Sequence, residues 1–571
     1  MLKKWVYHPI PSTEEVASLA SSLNISPTLA SLMCQRCINT FDLAKKFFRP
    51  TIQDFHDPFL MKDMDKAIER IQKAISNTEK ILIYGDYDVD GTTSVALVYG
   101  ILKTKYANIE YYIPDRYTEG YGISYKSLDW AKENNINLII SLDCGIKSNA
   151  HVEKASEYSI DFIICDHHQP GKVLPAAIAV LDAKRDDCSY PYKELSGCGV
   201  GFKLLQALYQ RNEWNEKELH SQLDLLAISV ASDIVPITGE NRVFTYYGLK
   251  VLNESCRPGF KALVQIAGYK RKLDITDIVF GIGPRINAAG RVAHAHAAVK
   301  MMLSDGLDDA NTFANQLNDK NVIRKDFDSN ITVEAITMIE NSDKLLSSKS
   351  TVLFKEDWHK GVIGIVASRC IEKYYKPTII LTASNGMLTG SARSVEGFDV
   401  YEAIAQCSEL LEQFGGHKYA AGLTLRKENI FAFQEKFESV VCENIKEDQL
   451  IPKLYIDMAI NLNQINAKFY NIIKQMAPFG PGNMQPVFVS HAVYDDGNCR
   501  LLKEAHIKLC VKQDDSTAIE AIGFGMADKY EGISCGQKFN LCYTICENEF
   551  NGKTTLQLVI KDIEFIDTFT N

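Results

Sequence analysis

The sequence predicts an α/β protein. It comprises a domain with a helix-covered parallel sheet, a long connecting helix, a smaller second α/β domain and a small C-terminal β-barrel. Three observations carry this. Short apolar runs at Ile81–Tyr84, Ile109–Ile113, Leu138–Leu142, Phe162–Cys165 and Ile178–Leu181 alternate with helix-like stretches at 92–105, 124–134 and 148–157, the spacing of strands joined by crossover helices. The stretch 308–342 has few helix breakers and reads as one helix. From residue 453 onward, short alternating strands such as Ala518–Phe524 and Thr554–Val559 are separated by turn residues at Asp495-Asp496-Gly497 and Asn551-Gly552, a barrel pattern.

In chain order, residues 1–50 read as small helices, with an apolar period at Val16, Leu19, Ala20 and Leu23 and prolines at 9, 11, 27 and 50. They are expected to clamp onto another part of the chain. Residues 64–76 form an amphipathic helix. The parallel-sheet domain takes 51–307, with 200–307 mostly helical, and the connecting helix 308–345. The second α/β domain takes 346–447, with strands at Thr351–Phe354 and Thr378–Leu381 and helices near 362–373 and 428–445. The barrel takes 448–571.

Composition narrows the function classes. The chain is 46% hydrophobic and 23% charged, enough to bury real cores and unlike a disordered chain. No apolar run approaches the roughly 18 residues of a membrane span, and the start lacks the apolar core of a secretory signal. A soluble, cytoplasmic protein with no membrane partner is expected. The 15 cysteines are odd in number and scattered. Only Cys34 and Cys37 make a C-x-x-C pair, so small buried thiols in a reducing compartment are expected rather than a zinc ribbon or disulfides. A net charge of −10 gives no global footprint for nucleic acid, although a basic channel on one face depends only on local potential.

The chemistry falls at the ends of the predicted strands. Ile81–Gly85 runs into Asp86-Tyr87-Asp88-Val89-Asp90-Gly91, with a helix expected from Thr92; Leu138–Leu142 ends in Asp143; Asp161–Cys165 ends in Asp166-His167-His168; the apolar helix Leu223–Ala231 ends in Ser232-Asp233. The carboxyl edge of an open parallel sheet forms the ligand crevice. Carboxylates converging there repel unless cations lie between them. Oxygen ligands with one imidazole suit Mn²⁺ or Mg²⁺ better than zinc, and so many ligands suit two ions, roughly 3.5–4 Å apart and bridged by a shared Asp, better than one. Asp86-x-Asp88-x-Asp90-Gly91 resembles the start of a calcium loop, but its twelfth position is Leu97 and a strand precedes it, which excludes that reading. Asp143 alone could serve as a helix cap; six such residues at three strand ends are not explained by capping.

Gly197-Cys-Gly199-Val-Gly201 lacks both the leading strand and the spacing of a dinucleotide loop and reads as a tight packing turn before a helix. Gly415-Gly416 permits close approach of backbone to a ligand, with His417 beside it as a phosphate donor or a packing residue. Phe479 is a candidate base-stacking residue or a core residue.

These motifs resemble the DHH phosphoesterase superfamily. Tyr84–Gly91, Ser141–Gly145, Asp166-His167-His168 and Ala231–Pro236 match its four motifs. Within it, Pro114–Gly122 and Gly283–Arg291 resemble the bacterial exonucleases specific for single-stranded DNA, and His359–Gly364, Gly390–Ser394 and Phe414–Gly422 resemble the associated DHHA1 domain. The resemblance implies a DHH and a DHHA1 domain facing each other across a cleft, joined by the long helix and followed by an OB-fold. It implies a monomer that degrades single-stranded DNA from a 5′ end to mononucleotides with two Mn²⁺ or Mg²⁺ ions, in DNA repair and recombination, with single-strand binding protein and a helicase as partners. It assigns Asp86, Asp88, Asp90, Asp143, His167 and Asp233 to metal, and Asp143, at a strand end where it could bridge both ions, together with His168 to catalysis. Arg116, Arg285, Asn287, Ser391, Arg393 and His417 fall to the substrate, Ser391 and Arg393 on the 5′-phosphate and Arg116 at a narrow entrance or bracing the loop at Gly120–Gly122. Two other classes stay open on the residues: a phosphodiesterase of short oligonucleotides or cyclic dinucleotides, and a non-catalytic DNA-binding scaffold.

Overall fold

The computed structural model describes residues 3–514 and 516–566. The chain opens with a strand the sequence did not announce, β1 (Lys4–Tyr7). Four residues without alternation carry too little pattern to be read as a strand.

The first large unit is a five-stranded parallel sheet of β2 (Ile81–Gly85), β3 (Ile109–Tyr112), β4 (Leu138–Leu142), β5 (Asp161–Cys165) and β6 (Ala179–Leu181), in the order β3-β2-β4-β5-β6. These strands lack alternation because helices cover both faces; Ile81, Leu82, Ile83 and Tyr84 are all at most 1% exposed. The chain steps from β2 to one neighbour, β3, and then crosses to the other, β4. That reversal opens a crevice beyond the ends of β2 and β4, where Asp86 and Asp143 stand.

The helix after β2, α1 (Val89–Lys105), starts three residues before the expected Thr92. Asp88 caps it by accepting from Gly91 N at 3.0 Å, and Asn287 Oδ1 takes the Val89 N–H at 3.2 Å. Asp90 therefore lies within the first helical turn rather than in a loop. The glycine run is also corrected: Gly197–Gly201 is the start of helix α2 (Gly197–Arg211), capped by Ser196. Gly201 lets this helix pack closely, since a Cβ there would approach the Val98 side chain to 3.1 Å. Helix α3 (Leu223–Ser232) is apolar and leads to Asp233.

Helix α4 (Gly283–Val292) packs on α5 (Leu307–Glu340), the long connector. At 34 residues, α5 spans about 50 Å. Its buried stripe is apolar at Ala310, Ala314 and Leu317, polar at Asn321, Arg324 and Asp328, and apolar again from Ile331. Beyond it, β7 (Thr351–Phe354), β8 (Thr378–Ser384), β9 (Met387–Arg393), β10 (Gln413–His417) and β11 (Ala420–Leu425) form a mixed sheet in the order β10-β11-β9-β8-β7, with only β7–β8 parallel. Helix α6 (Ile363–Tyr374) packs between this sheet and α5.

The C-terminal unit is a seven-stranded barrel-like sheet closed by a second pairing between strands Phe488–Asp495 and His506–Lys512. Phe479 is half-buried against its core. The first fifty residues bind this unit: β1 runs parallel to β12 (Lys453–Ile456), Arg36 pairs with Asp457 at 3.0 Å, and Leu29 and Leu32 enter the barrel core. Arg242 joins three regions, donating to the carbonyls of Phe47, Ala477 and Pro478.

Candidate active site

The four motifs meet beyond the ends of β2, β4 and β5. Asp86 is fully buried; one oxygen accepts weakly from Gly122 N at 3.4 Å and the other has no partner. Burial, reinforced by the charge of Asp88, pushes its pKa well up. Asp88 is raised for the same reason, by burial and then by Asp90. Asp143 follows β4 with φ 60°, left-handed backbone that a non-glycine residue holds only when its surroundings enforce it. Burial and the charges of Asp90, Asp88 and Asp233 push its carboxyl well above the ordinary range, as like charges without a counter-ion require.

Asp90 is the best supported of the group. Its Oδ2 accepts from Gly197 N at 2.6 Å, and its Oδ1 accepts from Cys198 N at 2.9 Å and from the Ser229 hydroxyl at 2.6 Å. The first turn of α2 is thus a cradle for a carboxylate, and a Cβ on Gly197 would come within 2.6 Å of the Asp143 side chain. The sequence reading treated this glycine run as packing alone. The missed signal is that the run opens a helix directly after a serine cap.

His167 occupies the centre. Its Nε2 is 3.1 Å from Asp143, 3.5 Å from Asp233 and 3.7 Å from Asp90. Neither ring nitrogen has a hydrogen-bond partner. Burial lowers its pKa to about 4, which leaves the ring neutral with a free lone pair. Two overlapping ligand sets share it: Asp143, His167 and His168, and Asp90, His167 and Asp233. Buried carboxylates that repel one another, an orphaned buried imidazole and an orphaned Asp86 oxygen fit divalent cations, and the oxygen-rich donor set fits Mn²⁺ or Mg²⁺.

Asp166 plays a different part from its neighbours. It accepts from the backbone N–H groups of Ile146, His167 and His168 and from His168 Nδ1 at 2.7 Å. Despite burial, these bonds and the His168 charge hold its pKa far below the usual carboxylate range. With both oxygens occupied, it orients the two histidines. His168 is 45% exposed on the cleft side. Against the opposing effect of burial, Asp166 raises its pKa to about 9. Its Nε2 lies 3.3 Å from the Tyr121 hydroxyl, which also reaches the Asp143 carbonyl at 3.3 Å.

Across the cleft stands a cluster of cations. Arg393 donates to Ser391 Oγ at 3.0 Å on the same face of β9. A Cβ on Gly364 would lie 2.8 Å from the Arg393 guanidinium and 2.9 Å from Ser391 Oγ, so a side chain there would displace these two groups. Arg116 lies over the Tyr87 ring at 5.1 Å. Arg291, the last residue of the Gly283–Arg291 motif, stands half-buried in this group. Burial first, and then Arg116, Arg393 and Arg324, lower its pKa to about 10. It donates to the Gly361 carbonyl at 3.1 Å, while Tyr117 donates to its own carbonyl. His417 stands at the cleft surface, where partial loss of hydration and then the charges of Arg393 and His168, groups from the two facing domains, lower its pKa. Gly416 beside it has φ 146°, a conformation that favours glycine.

Two expected substrate residues also bond to the protein itself. Arg285 donates to the Gly281 carbonyl at 2.6 Å and to Asn318 at 3.2 Å, which ties α4 to α5. Asn287 caps α1. Both have protein partners, as does Arg291 from the same motif, which lies beside Arg116 and Arg393.

Family models match the DHH family N-terminal domain over residues 80–230, the DHHA1 domain over 345–443 and the RecJ OB domain over 456–562. The single-stranded-DNA-specific exonuclease RecJ of Bacillus subtilis is 36% identical over 557 residues, covering 97% of this chain and 70% of that protein. The Escherichia coli protein of the same name is 33% identical over 531 residues, covering 88% and 90%. Among solved structures, Thermus thermophilus RecJ in complex with Mn²⁺ superposes with a TM-score of 0.84 at 24% identity over 98% of this chain and 79% of that one. An exonuclease RecJ bound to manganese matches at 30% identity and a TM-score of 0.59, over 68% and 96%. The chain belongs to the RecJ family of DHH-domain exonucleases.

Proposed function

We propose that the protein hydrolyses single-stranded DNA from its 5′ end, releasing mononucleotides in DNA repair and recombination, and does so with two Mn²⁺ or Mg²⁺ ions. The observation that carries this is the pairing of two opposite sites across one cleft: a buried carboxylate–imidazole cluster on the first domain and Arg393, Ser391, Arg291 and Arg116 facing it. A terminal phosphate carries up to two charges and an internal diester one, so several guanidinium groups together favour a strand end.

Asp88, Asp90, Asp143, His167 and Asp233 would hold the ions, with Asp86 nearby. Bound there, the ions supply charge neutralisation for the scissile phosphate and activation of water. The chain's own residues do the positioning. Ser229 and the start of α2 fix Asp90; Asp166 fixes the His168 ring so that its Nε2 faces Tyr121 and the cleft, where it can donate to the phosphate; Ser391 and Arg393 hold the 5′ end.

The proposed domain division is 51–307 for catalysis, 308–345 as connector, 346–447 for reading the end and 448–571 for the following strand, with 1–50 bracing the barrel. We also propose a cytoplasmic monomer working with single-strand binding protein and a helicase, as the resemblance to the family implies. Among the described residues no helix is long and apolar enough to cross a membrane.

One time course with 5′-labelled and 3′-labelled copies of the same single strand tests the reading. Immediate release of labelled mononucleotide from the 5′ label, with progressive shortening of the 3′-labelled strand, is expected. The reverse assignment, or products that accumulate only from dinucleotides, overturns it.

A further inference from the structure

Behind the cation cluster, the connecting helix carries a groove that the proposed exonuclease reaction leaves unused. It measures about 490 Å³ and is lined by Phe280, Lys325, Asp328, Thr332 and Arg369, with Arg324 in its wall. Positions 324, 328 and 332, and 325, 329 and 333, form two adjacent stripes of α5, which is why a helical spacing places them together. The groove interrupts the apolar buried stripe of α5 at Arg324 and Asp328, an expensive place for ionised side chains unless they have a task or complete partners.

The partners are incomplete. Arg324 reaches Asp328 at 3.3 Å and Asn321 at 2.8 Å, and Arg369 grips the same Asp328 through two bonds of 2.9 and 3.0 Å. One carboxylate therefore serves two guanidinium groups, and the exposed Lys325 adds a third cation. The lining as a whole carries three positive charges against one negative. The excess of two matches the charge of about −1.5 to −2 on a phosphate monoester at neutral pH. Thr332 Oγ lacks a hydrogen-bond partner although the atom is shielded from solvent.

At one end stands Phe280, 77% exposed. It sits in a wide π-type turn at Ile278–Ile282, a distortion found disproportionately at functional sites. An exposed phenyl ring beside excess cations is the composition of a base-stacking platform. Arg324 connects this place to the cleft, since its charge is felt by the half-buried Arg291.

We propose that the groove is a second nucleotide site, which takes a 5′-deoxymononucleotide with its phosphate on Lys325 and Arg369 and its base on Phe280. Identifying the ligand with the reaction product rests on the function proposed above. The site would hold the product after it leaves the cleft, whose entrance the uncut strand still occupies.

The test is calorimetric titration of the full-length protein in EDTA, with dTMP, thymidine and inorganic phosphate as separate probes. Wild type, Phe280→Ala, Lys325→Ala and Arg393→Ala are compared. dTMP binding is expected to survive Arg393→Ala and to weaken about tenfold or more in both Phe280→Ala and Lys325→Ala. Phosphate binding should respond to Lys325→Ala and not to Phe280→Ala, and thymidine should bind more weakly than dTMP. A dTMP affinity unchanged in both groove variants, abolished by Arg393→Ala alone, or absent in wild type overturns the proposal. Exonuclease rates on the same proteins separate the two claims: loss of all strand degradation in wild type would remove the function proposed above, while the groove would stand or fall by the titrations.

Discussion

The Ser229 hydroxyl donates to Asp90 Oδ1 at 2.6 Å, joining the helix that leads to Asp233 to the carboxylate in the first turn of α1. Ser229 is fully buried, and its hydroxyl also bonds Ser196 Oγ, the cap of α2, at 2.7 Å. One hydroxyl thus holds three helix ends in register around the candidate metal centre. It touches neither proposed ion nor substrate, so its role is positioning.

Ser229→Ala is expected to raise the Mn²⁺ concentration for half-maximal activity by about 10–100-fold, the usual penalty for removing a group that orients a ligand. Activity should return in part at saturating Mn²⁺. Ser229→Thr, which keeps the hydroxyl, should recover part of the affinity. A purely structural role would lower activity equally at all metal concentrations.

Asp143→Ala is expected to abolish hydrolysis while leaving the protein folded. In EDTA the variant should melt no lower than wild type, because removing one buried carboxylate relieves repulsion among Asp88, Asp90 and Asp233. Retention of more than a few per cent of the wild-type rate at saturating Mn²⁺ would remove Asp143 from the metal site. The same assay should show that EDTA stops wild-type activity and that Mn²⁺ or Mg²⁺ restores it better than Ca²⁺, which takes more ligands at longer distances.

Much of this centre was legible because carboxylates at the ends of apolar strands have few other uses. The strand order and the partners of each carboxylate were less so. Asp90 and Asp166 look alike in sequence, yet Asp90 faces the cluster while Asp166 is saturated by three backbone N–H groups and His168. That difference is tertiary. Arg285 and Arg291 likewise lie about one and two-thirds helical turns apart; α4 places Arg291 beside Gly361 and Arg285 on Asn318 of α5. The pairing of β1 with β12 joins residues more than four hundred positions apart, which no local pattern encodes.

The buried pair Lys203–Glu240, 3.0 Å apart and fully excluded from solvent, carries a stability prediction. Glu240 also accepts from His56 N and the Tyr190 hydroxyl, and Lys203 donates to the His56 carbonyl. Lys203→Met alone strands Glu240 and should destabilise the first domain by about 3–5 kcal/mol. Lys203→Met with Glu240→Gln should recover a large part of that loss. Urea denaturation midpoints of the four proteins of this double-mutant cycle provide the check; additive losses would show that the two side chains act independently.

His296 gives a pH dependence of known sign. Its ring stacks on His294 at 4.3 Å, its Nδ1 has no partner, and burial together with the charges of His294 and Lys300 lowers its pKa from 6.5 to about 4. Above pH 6.5 the ring is neutral both folded and unfolded, and this stabilisation is fully present. Between pH 6.5 and 4 the unfolded chain binds a proton the fold refuses, so stability falls as pH falls, by at most one proton's slope. His296→Gln should flatten the decline of the urea midpoint over that window relative to wild type. Identical slopes would show that other groups set the acid sensitivity.

Arg393 should distinguish a strand end from its middle. The guanidinium is held by Ser391 and the Ala392 carbonyl, and burial, with Arg116 nearby, lowers its pKa. A half-buried cation with no carboxylate partner is poised for an anion. Arg393→Ala should reduce the preference for a 5′-phosphate over a 5′-hydroxyl substrate. Charge-assisted hydrogen bonds of about 1.5–3 kcal/mol correspond to roughly ten- to a hundred-fold in that ratio. Arg291 shares the pocket but also ties α4 to Gly361, so Arg291→Ala should lower both the ratio and the overall rate. The measurement is kcat/KM on matched oligonucleotides with and without the phosphate. A ratio unchanged by Arg393→Ala and lowered by Arg291→Ala would move the end-reading role to Arg291, and a ratio unchanged by both would place it outside this cluster.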